Sequence, residues 1–405
     1  MTTMTHPGDA LTRRQKLVYV VILGALTALG PFTIDLYLPA LPAIEGDLKV
    51  SEAAVQLTLA GTTVGFGLGQ LLVGPFSDKV GRRTPLIMAT SVHVLASMGA
   101  ALSTDITVLM IFRVLQGVGA AGGGVVAMAT IRDLFGGYPL VRMLSRMALV
   151  NGLAPIFAPV IGSQLLLVLD WPGIFWFLAV YGMLVLTAAA LFIVETLPRQ
   201  QRRASTTTTR QRYQAVLSDR IFIGMLLMGG LNFAGLFTYL SASPFLFQDL
   251  YGLSAQGYGL LFGINSLGVV SGVQASARIM RRIGPQWVMA CSTASMFTMG
   301  WLIAIFDWAG FGFWGTAVPL WFYIMSFGFT IPCIQALALG RHGSQPGTAA
   351  SLLGAATFGF AGAMTPVVGL FDGAAAPMGL LMSACIGLAI IVLWTIVRPR
   401  TVPPL

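Results

Sequence analysis

The sequence predicts an all-α integral membrane protein, with twelve transmembrane helices in two six-helix halves. The first sign is composition. Hydrophobic residues make up 56% of the 405-residue chain and charged residues only 9%, with a mean hydropathy of +0.83. A soluble domain carries about 25% charged residues, so this chain lacks the polar surface that water requires. The second sign is length, which accommodates about twelve spans of about 20 to 25 residues joined by short loops. The third is charge placement. Spans are expected at 17–42, 53–77, 85–103, 106–131, 144–168, 173–194, 221–247, 256–277, 286–306, 317–339, 348–371 and 377–397. With the gaps numbered alternately, 21 of the 23 Lys and Arg residues fall on one side, Lys49 alone falls on the other, and Arg113 lies within a span. The positive-inside rule then puts both termini in the cytoplasm. The net charge of +9 is a topology signal, not a nucleic-acid patch.

The chain divides into an N-terminal segment (1–16), a first half (17–194), a basic linker (195–220), a second half (221–397) and a tail (398–405). The polar N-terminus has no small-residue cleavage site after it, and the first apolar run exceeds a signal-peptide core, so a retained first helix is expected. The 48 glycines and 21 prolines suit membrane helices that pack closely and bend. Strand-like alternation is missing, which argues against an outer-membrane barrel. Cys291, Cys333 and Cys385 have neither disulfide nor metal-ligand spacing and read as packing residues. His93 and His342 are isolated, so no metal and no cofactor is expected beyond the coupling proton.

The first span carries Gly30–Pro31–Phe32–Thr33–Ile34–Asp35–Leu36–Tyr37–Leu38–Pro39, one carboxylate inside an apolar run. A charge at membrane depth costs several kcal/mol and is usually functional. Asp35 reads either as the cap of a local kink beside Pro31 and Pro39 or as a proton or cation site. An outer loop with Glu45, Asp47 and Lys49 follows. The second span presents Gly61, Gly65 and Gly69 on one helical face, where a neighbouring backbone can approach. The hairpin after it reads Gly74-x3-Asp78-x2-Gly81–Arg82–Arg83; its tight turn calls for positive φ at Gly81, and its charges form a cluster at a helix boundary.

The fourth span contains Arg113–Val114–Leu115–Gln116–Gly117–Val118–Gly119–Ala120–Ala121. Arg113 and Asp35 each stand seven residues from the expected outer end of a span, about 10 Å deep at about 1.5 Å per residue. Buried opposite charges tend to lie near each other or near water, so a pair or a shared polar network is expected, and a coincidence of depth is the alternative. The fifth span has Gly152-x2-Pro155-x3-Pro159-x2-Gly162–Ser163, whose prolines free carbonyls and bend the helix. The linker, with Arg199, Arg202, Arg203 and a threonine run, reads as a tether or as a segment lying on anionic lipid. In the second half, Gly268-x3-Gly272 and Arg278 to Gly284 repeat the Gly65-x3-Gly69 hairpin 203 residues on, with Arg281 replacing the carboxylate. Paired halves place a substrate site at their interface near the midplane. Candidate lining residues are Tyr37, Asn232, Phe233, Phe237, Tyr239, Asn265 and Gln335. For the aromatics, core packing or lipid contact is the alternative. For Asn265 and Gln335, helix-to-helix bonding is.

The hairpin resembles the loop signature between helices 2 and 3 of the major facilitator superfamily, which implies the major facilitator fold. The resemblance implies that Asp78, with Gly81, Arg82 and Arg83, gates the inner side by engaging helix ends of the other half, such as the one starting near Thr348. The Arg113 stretch resembles the family's fourth-helix signature, linked to proton coupling. The fifth span is similar to the antiporter signature, with Gly162–Ser163 in place of Gly-Gly. Residues 31–39, 154–159 and 239–245, with Tyr251–Gly252–Leu253–Ser254 and Ser351–Leu352–Leu353–Gly354, resemble the Bcr/CflA drug-resistance branch. The expectation is a monomeric drug:proton antiporter of the inner membrane, exporting chloramphenicol- or bicyclomycin-type amphiphiles with Asp35 and Arg113 in proton coupling. The alternative is a proton-coupled carrier of a metabolite on the same fold. A channel would need polar rings, an enzyme would need a nucleophile–base or metal constellation, and ATP drive would need a Walker loop; the sequence has none of these.

Overall fold

The computed structural model describes residues 7–197, 209–340, 346–371 and 374–402. Twelve helical stretches are long and apolar enough to cross a membrane. The first is composite: α1 (Arg13–Asp35) ends at Asp35, a 3-10 turn covers Leu38–Ala40, and α2 (Leu41–Leu48) completes the crossing. The other spans of the first half are α3 (Glu52–Val80), α4 (Arg83–Ala101), α5 (Ile106–Leu134), α6 (Gly137–Leu165) and α7 (Trp171–Phe192). A short helix α8 (Thr209–Leu217) then leads into α9 (Arg220–Phe245), α10 (Ala255–Ile283), α11 (Pro285–Trp308), α12 (Gly312–Leu339), α13 (Pro346–Val368) and α14 (Ala375–Val392). No strand occurs among the described residues.

Several helix starts are set by short polar side chains that satisfy the orphan N–H groups of a first turn. Thr12 and Gln15 form a reciprocal capping box on α1. Ser51, Asp105, Asp219 and Ser254 cap α3, α5, α9 and α10. Gly81 ends α3 at φ 106° and Gly284 ends α10 at φ 85°, so both hairpins of the internal repeat turn through backbone space that favours glycine.

Helices α1 to α7 pack among themselves, as do α9 to α14, and the two groups meet chiefly along α3 against α13 and α6 against α10. Within each group, glycines let backbones touch. A Cβ at Gly65 would strike the Val114 carbonyl, and one at Gly117 would strike the Thr62 carbonyl, which locks α3 to α5. Gly272 against Met325 and Gly328 against Val269 do the same for α10 and α12. Such approach is the main source of helix adhesion where lipid removes the hydrophobic drive.

The structure corrects several sequence expectations. The first span does not end at 42, and Glu45 and Asp47 lie in α2, not in an outer loop; Pro42 sits in the first turn of a helix, where its missing N–H is harmless. This puts Asp35 about 20 Å of helix below the far end of the crossing instead of about 10 Å. The spans expected at 144–168 and 317–339 begin earlier, at Gly137 and Gly312, just after Gly136 and Phe311. The linker contains α8, which packs against α9 and α13; Arg199, Arg202, Arg203 and His342 lie outside the described residues.

Candidate functional site

The break in the first crossing is built by its own sequence. Pro39 and Pro42 offer no N–H to an α-helical ladder, so Leu36 and Tyr37 take a tighter path and Ala40 donates to the Tyr37 carbonyl at 2.9 Å. From outside, Gly162 of α6 rests on the Leu36 carbonyl so closely that any Cβ would collide with it. Asp35 is thereby the last residue of α1, 6% exposed. Among the described residues its carboxyl receives no hydrogen bond and forms no ion pair. It lies close enough to the phenols of Tyr239 and Tyr258, both from the other half, to interact with them electrostatically.

Arg113 is fully buried, and among the described residues it forms no ion pair with Asp35. Its Nη1 donates to the Thr33 carbonyl at 3.0 Å and to Gln116 Oε1, and its guanidinium lies 3.9 Å from the centre of the Tyr37 ring and 5.5 Å from that of Phe175. Gln116 Nε2 donates to Ser97 Oγ at 2.8 Å, Ser97 donates to the His93 carbonyl, and the His93 ring reaches back to the Gln116 carbonyl at 3.3 Å. The cation therefore holds the backbone two residues before Asp35 instead of the carboxylate itself. Tyr37, expected in the substrate cavity, is fully buried as the platform under Arg113. Stacked planar cations on aromatic faces account for this burial.

In the second half, Tyr239 accepts from Asn265 Nδ2 at 3.1 Å and stacks on Phe262 at 5.7 Å; Ser243 and Tyr258 share a hydroxyl contact of 2.9 Å. Phe233 packs against Phe237, Phe327 and Phe358, and Phe358 meets Phe66 of the first half at 4.9 Å. Asn232 is fully buried with neither amide atom bonded to a described residue. These residues gather between the halves. Gln335 does not join them: it is exposed, four residues from the end of α12.

The α6 prolines work across the interface. Pro159 lacks the N–H that would occupy the Pro155 carbonyl, and that carbonyl accepts from Ser266 Oγ of α10 at 3.2 Å. Gln256 donates to the Ser163 carbonyl at 2.8 Å and Gln248 donates to the Pro39 carbonyl at 3.2 Å. Gly259 seats against Pro159, while Gly152 faces open space apart from Val270 at 3.9 Å. All these cross-half contacts lie toward the face opposite the termini. At the face that carries the termini, Arg142, Arg146, Arg278, Arg281 and Arg282 are exposed, and a cavity of about 990 Å³ opens beside Arg13, Arg14 and Tyr138. The cross-half hydrogen bonds thus gather toward one face, and exposed arginines stand at the other.

At the face that carries the termini, Arg82 donates to Asp78 at 2.6 Å, to Asp133 at 2.8 Å and to Ser77 at 2.8 Å. Burial opposes its charge, yet the carboxylates of Asp133 and Asp78 hold its guanidinium above the usual arginine range. Glu195 accepts from the backbone N–H groups of Arg82 and Arg83, and Arg83 donates to the Ala190 carbonyl. Asp78 is 61% exposed, and its ion pair among the described residues is with Arg82 of its own half. Sequence reasoning missed Asp133 and Glu195; their only signal was the lone acids that follow the fourth and sixth spans. It also missed Tyr258, Gln116, Ser97 and Ser266, which carry no charge to mark them.

Residues 23–366 match the Major Facilitator Superfamily. The chain is 34% identical over 374 residues to the Uncharacterized MFS-type transporter YdgK of Bacillus subtilis (strain 168), covering 92% of this chain and 93% of the relative. It is 28% identical to the Bicyclomycin resistance protein homolog of Haemophilus influenzae (strain ATCC 51907 / DSM 11121 / KW20 / Rd), covering 94% and 96%. Among solved structures, the xylose transporter XylE from E. coli in a partially occluded inward open conformation superposes with a TM-score of 0.74 at 12% identity, covering 96% of this chain and 98% of XylE; this likeness is one of fold.

Proposed function

The chain belongs to the Major Facilitator Superfamily, and from that premise we propose that it is a drug:proton antiporter, exporting small amphipathic antibiotics of chloramphenicol or bicyclomycin type by alternating access. The observation that carries the reading is Asp35: an unpaired carboxyl at a break in a membrane helix, directed at the other half. A carboxyl held by no fixed cation can exchange its proton as its access to water changes, whereas a salt-bridged one would stay charged through the cycle. With the basic face as the cytoplasmic face, drug enters from that side and meets the Phe233, Phe237 and Phe358 cluster, with Asn232 offering amide hydrogen bonds. Apolar walls discriminate weakly, which suits varied drugs. Proton release from Asp35 inward and capture from outside alternate with drug binding. Arg113 acts on the site by fixing the Thr33–Asp35 backbone. Asp78, Arg82 and Asp133 set how readily the inner mouth closes. The two groups of six spans rock about their seams as halves, and the working unit is a monomer in the inner membrane with both termini cytoplasmic.

The test is drug-induced proton movement in everted membrane vesicles. The wild type is expected to dissipate an imposed proton gradient when chloramphenicol is added, and Asp35→Asn to lose that response while eluting as a folded monomer. Proton-coupled export at wild-type rate in Asp35→Asn would remove Asp35 as the carrier.

A further inference from the structure

Between α10 and α12, in the half of the membrane away from the termini, lies a groove of about 470 Å³ that opens sideways toward lipid. Leu260, Ile264, Phe313, Trp314 and Trp321 form its walls. The Trp321 indole N–H is tied to the Ile264 carbonyl at 3.2 Å, which fixes the indole as a wall and removes its donor from the groove. One polar side chain lines the groove, Asn265, and it is 2% exposed. Its Nδ2 is committed to Tyr239 OH, while its Oδ1 has no hydrogen-bond partner. A buried carbonyl oxygen without a donor is costly, and the groove beside it is shaped for an apolar body.

We propose that this groove is a lateral binding site for an amphiphile carrying an N–H donor, such as a primary arylalkyl ammonium, whose donor bonds Asn265 Oδ1 while its ring stacks among Phe313, Trp314 and Trp321. A lipid acyl chain would fill the same volume but supply no donor, and would leave Oδ1 as it stands. Cationic groups are also favoured over aromatic faces. Asn265 is the wall between this groove and Tyr239, which interacts electrostatically with Asp35, so two side chains separate the groove from the proton site. The proposal rests on the export reading, and makes the groove the place where a substrate passes between the central site and the membrane leaflet away from the termini.

The test uses the full chain in phosphatidylcholine nanodiscs with two benzophenone photoprobes of one shape. One ends in a primary ammonium and the other in a trimethylammonium that keeps the charge without an N–H. Adducts of the primary probe are expected on residues 313–322 and 257–265 by peptide mass spectrometry. Half-labelling should need about tenfold more of the trimethyl probe, and about tenfold more primary probe with Asn265→Leu. Val318→Trp, a change at a lipid-facing groove position 48% exposed, should block labelling in a protein that keeps its fold. Equal labelling by both probes, insensitive to Asn265→Leu, marks a seat for alkyl chains and overturns the proposal, as does absence of adducts in the groove. Asp35→Asn should label like the wild type. In the wild type, labelling without export would therefore sink the export reading alone, and export without labelling would sink the groove alone.

Discussion

At the scale of single residues, the buried charges of the first half have separate duties. Arg113 serves the backbone of α1, and its geometry uses the flat guanidinium: two acceptors bonded through Nη1 and a ring beneath. A lysine ammonium can reach acceptors but has no plane to lay on that ring. Arg113→Lys is therefore expected to destabilise the fold by about 2 kcal/mol, read as a lower unfolding midpoint in detergent; an unchanged midpoint would show that the guanidinium plane is not structural. Asp105 gives a pH-dependent contribution outside the membrane. The Thr107 and Val108 backbone N–H groups hold its carboxyl below its ordinary value of 3.8. A depressed carboxylate stabilises above its unfolded value, and that contribution is lost as pH falls through the folded one. Asp105→Ala should thus lower the unfolding midpoint at neutral pH and leave it unchanged below the ordinary carboxylate range. Asp35 and Arg113 were visible in the sequence because a charge inside an apolar run stands out. Their actual relation was not, since the acceptor Arg113 chose is a main-chain carbonyl that every residue possesses.

At the scale of elements, α6 is a coupling bar. Its Pro159 frees the carbonyl that Ser266 reaches, and its Gly162 admits the broken corner of the first crossing. Gly162→Ala would drive a methyl into the Leu36 carbonyl, whereas Gly152→Ala meets nothing closer than Val270. The former should abolish drug efflux in a susceptibility assay and the latter should leave it near wild type; equal tolerance would remove the corner contact from the mechanism. Ser266→Ala removes one cross-half hydrogen bond, a change of about 1 kcal/mol, and should raise the labelling of far-face cysteine reporters about fivefold. The positions of the twelve spans were legible because apolar runs of span length have few other fates in water. The break at Asp35 was only half legible. Pro31 and Pro39 announced an irregularity, but the corner at Leu36 is held by Gly162 of α6 lying against it, a tertiary fact. The α8 helix was hidden by its polarity, which reads as tether.

At the scale of the whole molecule, the contacts between the halves are unequal at the two faces. Hydrogen bonds through Gln248, Gln256 and Ser266 fasten the face away from the termini, while the opposite face carries exposed arginines. Asp78 and Asp133 lie on either side of Arg82 within one half. Asp133→Asn leaves this partly buried cation with one carboxylate, and should slow drug efflux in vesicles while equilibrium drug binding stays within about twofold; lost binding would instead place Asp133 in the drug site. The internal repeat was legible in the spacing of Gly81 and Gly284, but its asymmetry has a structural meaning: only the first hairpin keeps an acid to hold its arginine.

The glycine contacts that weld α3 to α5 and α10 to α12 carry one more implication. Neighbours whose main chains touch leave little slack between them, so each of these two pairs is expected to move as one body. Spin labels joining α3 to α5, or α10 to α12, should keep their separation when drug is added, whatever the rims do.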